Sequence, residues 1–379
     1  ALTDADYNVA VGYAALTTDT KGSRSTALGY AALNVQNFTT STDSYNTAVG
    51  YKAGEAVTTG TYNTLIGGLA GDALTDADYN VAVGLNALSS DIQGSYSTAL
   101  GSQALAVQAF STATSAYNTA VGYNAGVAVT TGIQNTLIGG LAGDALTDAD
   151  YNVGVGYNAL GANTVGSRNT ALGYNALDAM NPATAADTYN TAVGFYAGLN
   201  VTTGIENTIV GGVTGDALTD ANYNVAVGTW ALSTDTKGSK STAVGRTALS
   251  SQNFTTSTDS YNTAVGYDAG GAVTTGMRNT LIGATAGDAL TDADYNIAIG
   301  YYALSADTLG SRSTALGYYA LAAQNFTTAT DSYNTAVGFA AGEAVTTGRY
   351  NTLLGALSGD ALTTGAENVA VGYMALSLD

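Results

Sequence analysis

The residues best suited to binding chemistry in this sequence are aspartates that return in the same loop of a repeated pattern. Two successive sets are Asp72, Asp76, Asp78, Asp144, Asp148 and Asp150. Clustered carboxylates suit Ca²⁺, which takes about six to eight oxygen ligands. Their spacing matches no EF-hand or nonapeptide calcium motif, and solvated turn residues that precede strands are the alternative interpretation. Calcium is therefore the only cofactor that the sequence suggests.

Catalysis has little support in the composition. The chain contains no histidine and no cysteine, so the usual bases and nucleophile partners are missing. We therefore predict that the protein is not an enzyme. A formal net charge of −19 opposes binding to nucleic acid or to an anionic membrane surface. The apolar runs are also too short for a helix that inserts into a membrane.

The whole chain is built on one long repeat of constant length. Repeats begin at residues 1, 73, 145, 217 and 289, and a partial repeat covers 361–379. Inside each repeat a short phrase, Asn-Thr-Ala-Val-Gly at positions 46–50, returns four times in close variants. In the first repeat the phrase starts at Asn8, Ser25, Asn46 and Asn63, so one of its intervals is longer than the others. Such self-similarity is typical of solenoids, in which each unit buries its apolar face against its neighbours.

The phrase has the composition of strands and turns, because Val, Ile, Thr and Tyr surround a fixed glycine. We therefore predict an all-β fold, a parallel β-solenoid or β-roll of about 21 coils with four coils per repeat. The prediction makes residues 1–379 one continuous domain. Each coil should hold a short strand, a glycine turn, a second short strand and a polar loop. Stacked coils should lie about 4.8 Å apart.

Two positions of the phrase are expected to form structural ladders along the stack. Glycine is needed where φ is positive or where another backbone comes close. Asparagine can stack on the asparagines of neighbouring coils and can bond turn backbone groups. In the first repeat and at the start of the second, these positions are Asn8, Asn46, Asn63, Asn80, Gly12, Gly29, Gly50 and Gly67.

Aromatic residues mark the surface most suited to adhesion. The chain has 26 tyrosines, and many stand directly after the fixed glycine or directly before the asparagine. Such rows can stack on sugar rings, or they can pack on one another as a structural ladder, which is the favoured interpretation. A longer polar loop at residues 37–44 adds a phenylalanine that returns in later repeats. The candidate adhesive residues are Tyr13, Tyr30, Tyr51, Phe38, Phe254 and Phe326.

The strand residues suggest contact between chains. In Asn8-Val9-Ala10-Val11-Gly12, Val9 and Val11 point to one face and Ala10 to the other, and neither face is polar. A strand that is apolar on both faces is usually buried on both. We therefore expect the second face to pack on identical chains, as a parallel trimer or dimer. A wider coil whose own loops cover that face is the alternative.

The phrase Asn-Thr-Ala-Val-Gly-Tyr-x-Ala resembles the Asn-Ser-Val-Ala-Ile-Gly-x-x-Ala head repeat of trimeric autotransporter adhesins of the YadA-like type. Related repeats occur in phage tail fibres. The resemblance covers every copy of the phrase and implies a left-handed parallel β-roll, a homotrimer, and adhesion to host or matrix surfaces. The coils of this chain are of two lengths, and they are longer and less uniform than those of adhesin heads.

These observations predict an extracellular structural or adhesive fibre protein that displays polar loops at a cell surface or on a virion. Its partners would be copies of itself, with surface carbohydrate or a host or matrix protein as the target. Two alternatives keep the same fold. One is the shaft of a phage tail fibre, and the other is a filament subunit that polymerises end to end through its open solenoid edges.

Overall fold

The computed structural model describes residues 3–377 and contains no helix among them. The predicted fold class is confirmed, because the chain is an all-β parallel β-solenoid of about 21 coils. The chain divides into two compact units, Ala1–Tyr189 and Asn190–Asp379. This division falls within the single domain that the sequence predicted.

The first unit contains sixteen short strands, and ten of them are three residues long. In chain order they are β1 (Val9–Val11), β2 (Gly22–Ser23), β3 (Thr26–Leu28), β4 (Thr42–Asp43), β5 (Thr47–Val49), β6 (Thr64–Ile66), β7 (Val81–Val83), β8 (Gly94–Ser95), β9 (Thr98–Leu100), β10 (Thr114–Ser115), β11 (Thr119–Val121), β12 (Thr136–Ile138), β13 (Val153–Val155), β14 (Gly166–Ser167), β15 (Thr170–Leu172) and β16 (Ala186–Asp187).

The second unit contains fifteen strands, and eleven of them are three residues long. They are β17 (Thr191–Val193), β18 (Thr208–Val210), β19 (Val225–Val227), β20 (Gly238–Ser239), β21 (Thr242–Val244), β22 (Thr258–Asp259), β23 (Thr263–Val265), β24 (Thr280–Ile282), β25 (Ile297–Ile299), β26 (Gly310–Ser311), β27 (Thr314–Leu316), β28 (Thr330–Asp331), β29 (Thr335–Val337), β30 (Thr352–Leu354) and β31 (Val369–Val371).

Every three-residue strand pairs in parallel with the strand of the next coil in its unit, without a shift in register. Strand β5 pairs with β6 so that Ala48 lies opposite Leu65, and β6 pairs with β7 so that Leu65 lies opposite Ala82. These middle residues are fully buried. The interior is therefore filled by one small or medium apolar side chain per strand, except at Gly154 of β13, together with Ala and Leu residues that follow the glycine, such as Ala32 and Leu33.

The fixed glycine ends each strand in a conformation that other residues avoid. Gly50 and Gly67 have φ values of 141° and 139°. A Cβ atom on Gly50 would collide with the carbonyl oxygen of Gly67, and one on Gly67 would collide with that of Gly84. Both the backbone angle and the close approach of the next coil therefore require glycine at this position.

The fixed asparagine joins two coils through its side-chain amide. Asn46 is buried, and its Oδ1 accepts a hydrogen bond from the backbone N–H of Asn63 at 2.9 Å. Its Nδ2 donates to the carbonyl oxygen of Gly60 at 2.7 Å. Asn63 repeats the pattern with Asn80, at 2.9 Å, and Asn8 bonds Ser25 at 2.7 Å. Each amide thus satisfies a backbone donor in the next coil and an acceptor at a turn, which is what a buried backbone needs.

A buried polar network accompanies the coils that carry serine in place of this asparagine. In the first repeat, the Gln36 amide donates to Asp19 at 2.6 Å and to Ser25 at 3.0 Å, and its Oε1 accepts from Asn46 at 2.9 Å. All four side chains are fully buried. The third repeat has Asn163 and Met180 where the first has Asp19 and Gln36, so the carboxylate and the amide that binds it are replaced together.

Among residues 3–377, the predicted second strand occurs in two coils of each full repeat, the longer coil with the long polar loop and the shorter coil before it. There it is two residues long, as in the parallel pairs β2 with β4 and β8 with β10. In the other coils the backbone changes direction at turns whose residues have a left-handed conformation, such as Lys52 at φ 56° and Tyr62 at φ 58°. Length alone does not decide where the second strand forms, because β2 and β8 lie in shorter coils while β4 and β10 lie in longer ones.

Candidate functional site

The outward face of the three-residue strands is a surface that recurs from coil to coil in each unit. Its residues are mostly Thr in the first strand position and Val, Ile or Leu in the third. Leu28 and Ile66 are 37% and 38% exposed, while Thr47 and Val49 are partly exposed. Loops of the chain therefore leave this face accessible, and the alternative of a wider coil that covers it is wrong for the residues that the structure describes.

The post-glycine row consists of the residues that directly follow the fixed glycine. In the first unit it begins with Tyr13, Tyr30 and Tyr51, whose rings stack at centroid distances of 5.3 and 5.4 Å. All three rings are exposed. The row then loses its aromatic character at Gly68 and Leu85, so the candidate adhesive tyrosines form a short stack of three.

The pre-asparagine row consists of the residues that directly precede the fixed asparagine or serine, and it contains a longer stack. Five tyrosines of successive coils lie ring on ring, with centroid distances of 5.3, 4.8, 5.2 and 5.0 Å. They are Tyr45, Tyr62, Tyr79, Tyr96 and Tyr117. Every one has a positive φ, between 50° and 64°, which is uncommon for a bulky residue.

Ring stacking determines which parts of these tyrosines a ligand could contact. In the interior of a stack, as at Tyr79, both ring faces are covered by the rings of neighbouring coils, with interplanar angles of 2° and 4°. The sugar-stacking role considered for such rows needs a free ring face, whereas these rings present edges and hydroxyl groups. Burial against the neighbouring rings, followed by the nearby Tyr62, raises the pKa of Tyr79. The row is therefore a ladder of stacked rings, the arrangement that the structural interpretation of the tyrosines predicted.

Basic residues interrupt the pre-asparagine row and are held by both rings and carboxylates. The Arg24 guanidinium lies 5.1 Å from the ring centre of Tyr7 and 5.5 Å from that of Tyr45, and its Nε is 3.0 Å from Asp43. The same arrangement joins Arg168 to Asp187 at 2.9 Å. These ion pairs were not predicted from the sequence. The sequence nevertheless indicates them, because a basic residue recurs at a fixed interval before an aspartate.

The aspartates considered for calcium are placed mainly as hydrogen-bond acceptors for neighbouring coils. Asp78 Oδ1 accepts from the backbone N–H of Thr61 at 2.7 Å, and Asp150 Oδ1 accepts from Ile133 at 2.8 Å. Asp76 accepts from the Thr75 hydroxyl at 3.2 Å, and Asp148 accepts from that of Thr147 in the same way. These contacts are those of turn residues.

Asp72 and Asp144, the first aspartates of the two sets, are only partly exposed. Burial is the main cause that raises the pKa of each, and the charge of Asp178 adds to the effect at Asp144. Residues 3–377 contain no group of three or more acidic side chains close enough to hold one metal ion. Calcium binding stays a prediction without a preformed site in the described part of the chain.

The phenylalanines proposed for the adhesive surface are buried, which corrects that expectation. Phe38 is 5% exposed, and Phe254 and Phe326 are 6% exposed. The backbone N–H groups of Phe254 and Phe326 donate at 3.0 Å to the buried carboxylates of Asp235 and Asp307. These bonds draw the phenylalanine of each long loop into the coil, whereas its neighbours Asn37 and Thr40 and the later Asp43 remain exposed.

The chain matches no known family model, no curated protein and no solved structure. The resemblance to YadA-like head repeats therefore stays a prediction that depends on the repeated phrase itself. The described residues also contain no helix that could cross a membrane.

Proposed function

We propose that this chain is part of an extracellular structural or adhesive fibre whose coils associate with identical chains and display hydroxyl-rich rows for attachment. The observation that carries the proposal is the outward strand face, which repeats in register in every coil and is left half-exposed. A contiguous face of Thr, Val, Ile and Leu of this extent is typical of an interaction surface. The resemblance to trimeric adhesins favours a homotrimer, in which two further copies of the same chain pack against this outward strand face.

The composition supports a structural role over catalysis. The chain has no histidine or cysteine, and its surface features recur in repeat after repeat instead of forming one unique reactive centre. A virion fibre shaft would use the same fold and the same outward face. An end-to-end filament would instead depend on the edges of the terminal coils.

Light scattering of the purified chain tests the association. A species of three times 37.8 kDa is expected. Ile66→Lys combined with Ile138→Lys places charges on the outward face of β6 and β12, and should give monomers because a buried, unpaired charge is costly. Tyr30→Ser is the matched control, since Ser102 occupies the equivalent position one repeat later. Trimers that survive both lysines would contradict the strand-face interface, and long heterogeneous polymers would favour end-to-end assembly.

Attachment is tested on the same proteins with surfaces coated in polysaccharide or matrix protein. Tyr62→Phe combined with Tyr79→Phe removes two hydroxyl groups from the stack but keeps the rings, so attachment should weaken while the fold is unchanged. Equal attachment by this variant and by the natural chain would refute a role for the pre-asparagine row. A chelator added to both assays tests the calcium prediction at the same time.

A further inference from the structure

One aromatic cluster in the second unit departs from the repeat. Tyr301, Tyr302, Tyr318 and Tyr319 occupy the first two positions after the glycine in two successive coils, and Phe339 follows in the third coil. The Tyr318 ring centre lies 4.6 Å from that of Tyr319 and 5.4 Å from that of Phe339. The Tyr319 ring is tilted with respect to Tyr318 by 39°. Tyr318 keeps the stacking between coils, with Tyr301 on one side and Phe339 on the other, while Tyr319 adds a tilted ring beside this stack and borders an open space.

That space is a cavity of about 290 Å³. It is lined by Tyr318, Tyr319, Phe339, Ala340 and Glu343. Glu343 is exposed and Ala340 is buried, so the cavity has an apolar floor, aromatic walls and one carboxylate. Aromatic faces carry partial negative charge and attract cations. The combination therefore favours a ligand with a positive charge and a short apolar stem.

The equivalent position four repeats earlier already contains such a group. Tyr51, Lys52 and Glu55 stand there in place of Phe339, Ala340 and Glu343. The Lys52 ammonium lies 3.0 Å from the Glu55 carboxylate and 5.8 Å from the ring centre of Tyr51. The Glu55 hydrogen bond and charge raise the pKa of Lys52, which keeps the ammonium charged.

In the later repeat the position of the lysine holds no cationic side chain, and the site has one more aromatic ring. Ala340 takes the place of Lys52, while Tyr319 takes the place of Ala31 and adds a third ring. Among residues 3–377, no Lys or Arg forms an ion pair with Glu343. The pKa of the Tyr319 phenol is raised, first by burial and then by the neighbouring tyrosines. The negative charge of Glu343 also contributes to this rise.

We propose that the cavity formed by Tyr318, Tyr319, Phe339, Ala340 and Glu343 binds an alkylammonium group, either as a free amine or on a lysine side chain. The ammonium would pair with Glu343 and lie against the ring of Phe339, because both ring faces of Tyr318 are covered by Tyr301 and Phe339. Its alkyl stem would occupy the volume left by Ala340. The net charge of −19 raises the local concentration of cations near the chain. The inference does not depend on the proposed fibre function. A single group of this size should bind with a Kd of about 1 mM or weaker.

A ligand-observed NMR titration of the full chain with n-butylammonium tests the proposal, with n-butanol as the neutral comparison. Saturable binding of the amine and markedly weaker binding of the alcohol are expected. Ala340→Lys restores the residue found at position 52 and should abolish amine binding, because the new ammonium occupies the site. Position 340 has a φ of 51° and Lys52 has a φ of 56°, so the substitution suits the backbone. Undiminished binding to Ala340→Lys would overturn the proposal.

Two further variants separate the site from general charge effects. Glu343→Gln should weaken amine binding about threefold and leave the alcohol unaffected. Glu55→Gln removes an equivalent charge in the first repeat and should leave amine binding unchanged. Equal weakening by both variants would mean that the amine follows net charge alone, which would refute the site. Nα-acetyl-lysine-N-methylamide as a second ligand distinguishes the sources: binding of butylammonium alone assigns the cavity to free amines, and binding of both extends it to lysine side chains.

Discussion

Single glycines and asparagines set how closely neighbouring coils approach one another. The glycine lets two backbones meet without a Cβ atom between them, and the asparagine amide then bonds across the gap. Neither role can be taken over by an apolar residue of similar size, because one is steric and the other needs both a donor and an acceptor. The stability of each unit is therefore sensitive to single substitutions at these positions.

Gly139 and Gly140 are adjacent in sequence and allow a matched test of this idea. Gly139 has a φ of 138°, and a Cβ atom on it would collide with the Gly156 carbonyl, whereas a Cβ atom on Gly140 would lie 3.6 Å from the nearest atom of Tyr157. Gly139→Ala should cost about 2–4 kcal/mol of unfolding free energy. Gly140→Ala should cost less than about 0.5 kcal/mol. Urea unfolding followed by circular dichroism measures both, and equal values would contradict the steric account.

At the scale of the coil, a buried polar network joins the longer coil of four repeats to the coil before it. Gln108 lies eleven residues after Ser97 in one of the longer coils, and its amide bonds both Asp91, at 2.6 Å, and Ser97, at 3.0 Å. Burial raises the pKa of Asp91, and the bond from Gln108 opposes that rise. The carboxylate and the amide therefore depend on each other, as their joint replacement by Asn163 and Met180 in the third repeat suggests.

Replacing the pair in the second repeat by the residues of the third measures this dependence. Gln108→Met alone should cost about 2–4 kcal/mol, because Asp91 stays buried and loses its amide partner. The double variant Asp91→Asn with Gln108→Met should cost less than the sum of the two single changes, by about 1–3 kcal/mol. Unfolding curves of the three variants give this coupling energy. Additive costs would mean that the two side chains are independent.

The repeated phrase predicts the strands, the glycine positions and the solenoid, because these depend on contacts that every coil makes with the next. The burial of Phe38 could not be predicted in the same way. Its burial depends on how residues of a neighbouring coil, such as Gly22, shape the space around it, and a loop rich in Thr and Ser gives no local sign of that. The exposure of the outward strand face could not be predicted either, since Thr and Val alternate with Ala and neither side of the strand is strongly polar.

The cavity near Tyr318 was missed for a related reason. Repeats direct attention to what recurs, whereas this site arises where the pattern is broken, at Tyr319 and Ala340. Comparison of Ala340 with Lys52 would have revealed it from the sequence, because only one of the two glutamates has a cation three residues before it.

At the scale of the whole molecule, acidic groups dominate the response to pH. The formal net charge of −19 is accompanied by several partly or mostly buried aspartates whose pKa values are raised by burial. Asp288 has its pKa raised to about 6, first by burial and also by the nearby charge of Asp268. The exposed Asp259 has its pKa lowered by Lys240, which acts in the opposite direction.

These shifts predict that the protein is most stable in mild acid. A carboxyl group whose pKa is higher in the folded than in the unfolded state binds its proton more tightly when folded, so its stabilising effect is present at low pH and is lost as the pH rises through the folded value. The melting temperature should therefore fall between about pH 4 and pH 7, and repulsion among the ionised carboxylates adds to the fall. Thermal unfolding at a series of pH values and constant ionic strength measures it.

Asp288→Asn identifies how much of this dependence comes from one partly buried group. The amide is neutral at every pH, so the variant should gain stability relative to the natural chain at pH 7 and gain less at pH 4, where Asp288 is already protonated. Asp292→Asn, four residues later in an exposed turn, is the matched control and should shift the curve only slightly. A melting temperature that rises steadily from pH 4 to pH 7 would refute the account, because it would mean that paired and solvated carboxylates outweigh the buried ones.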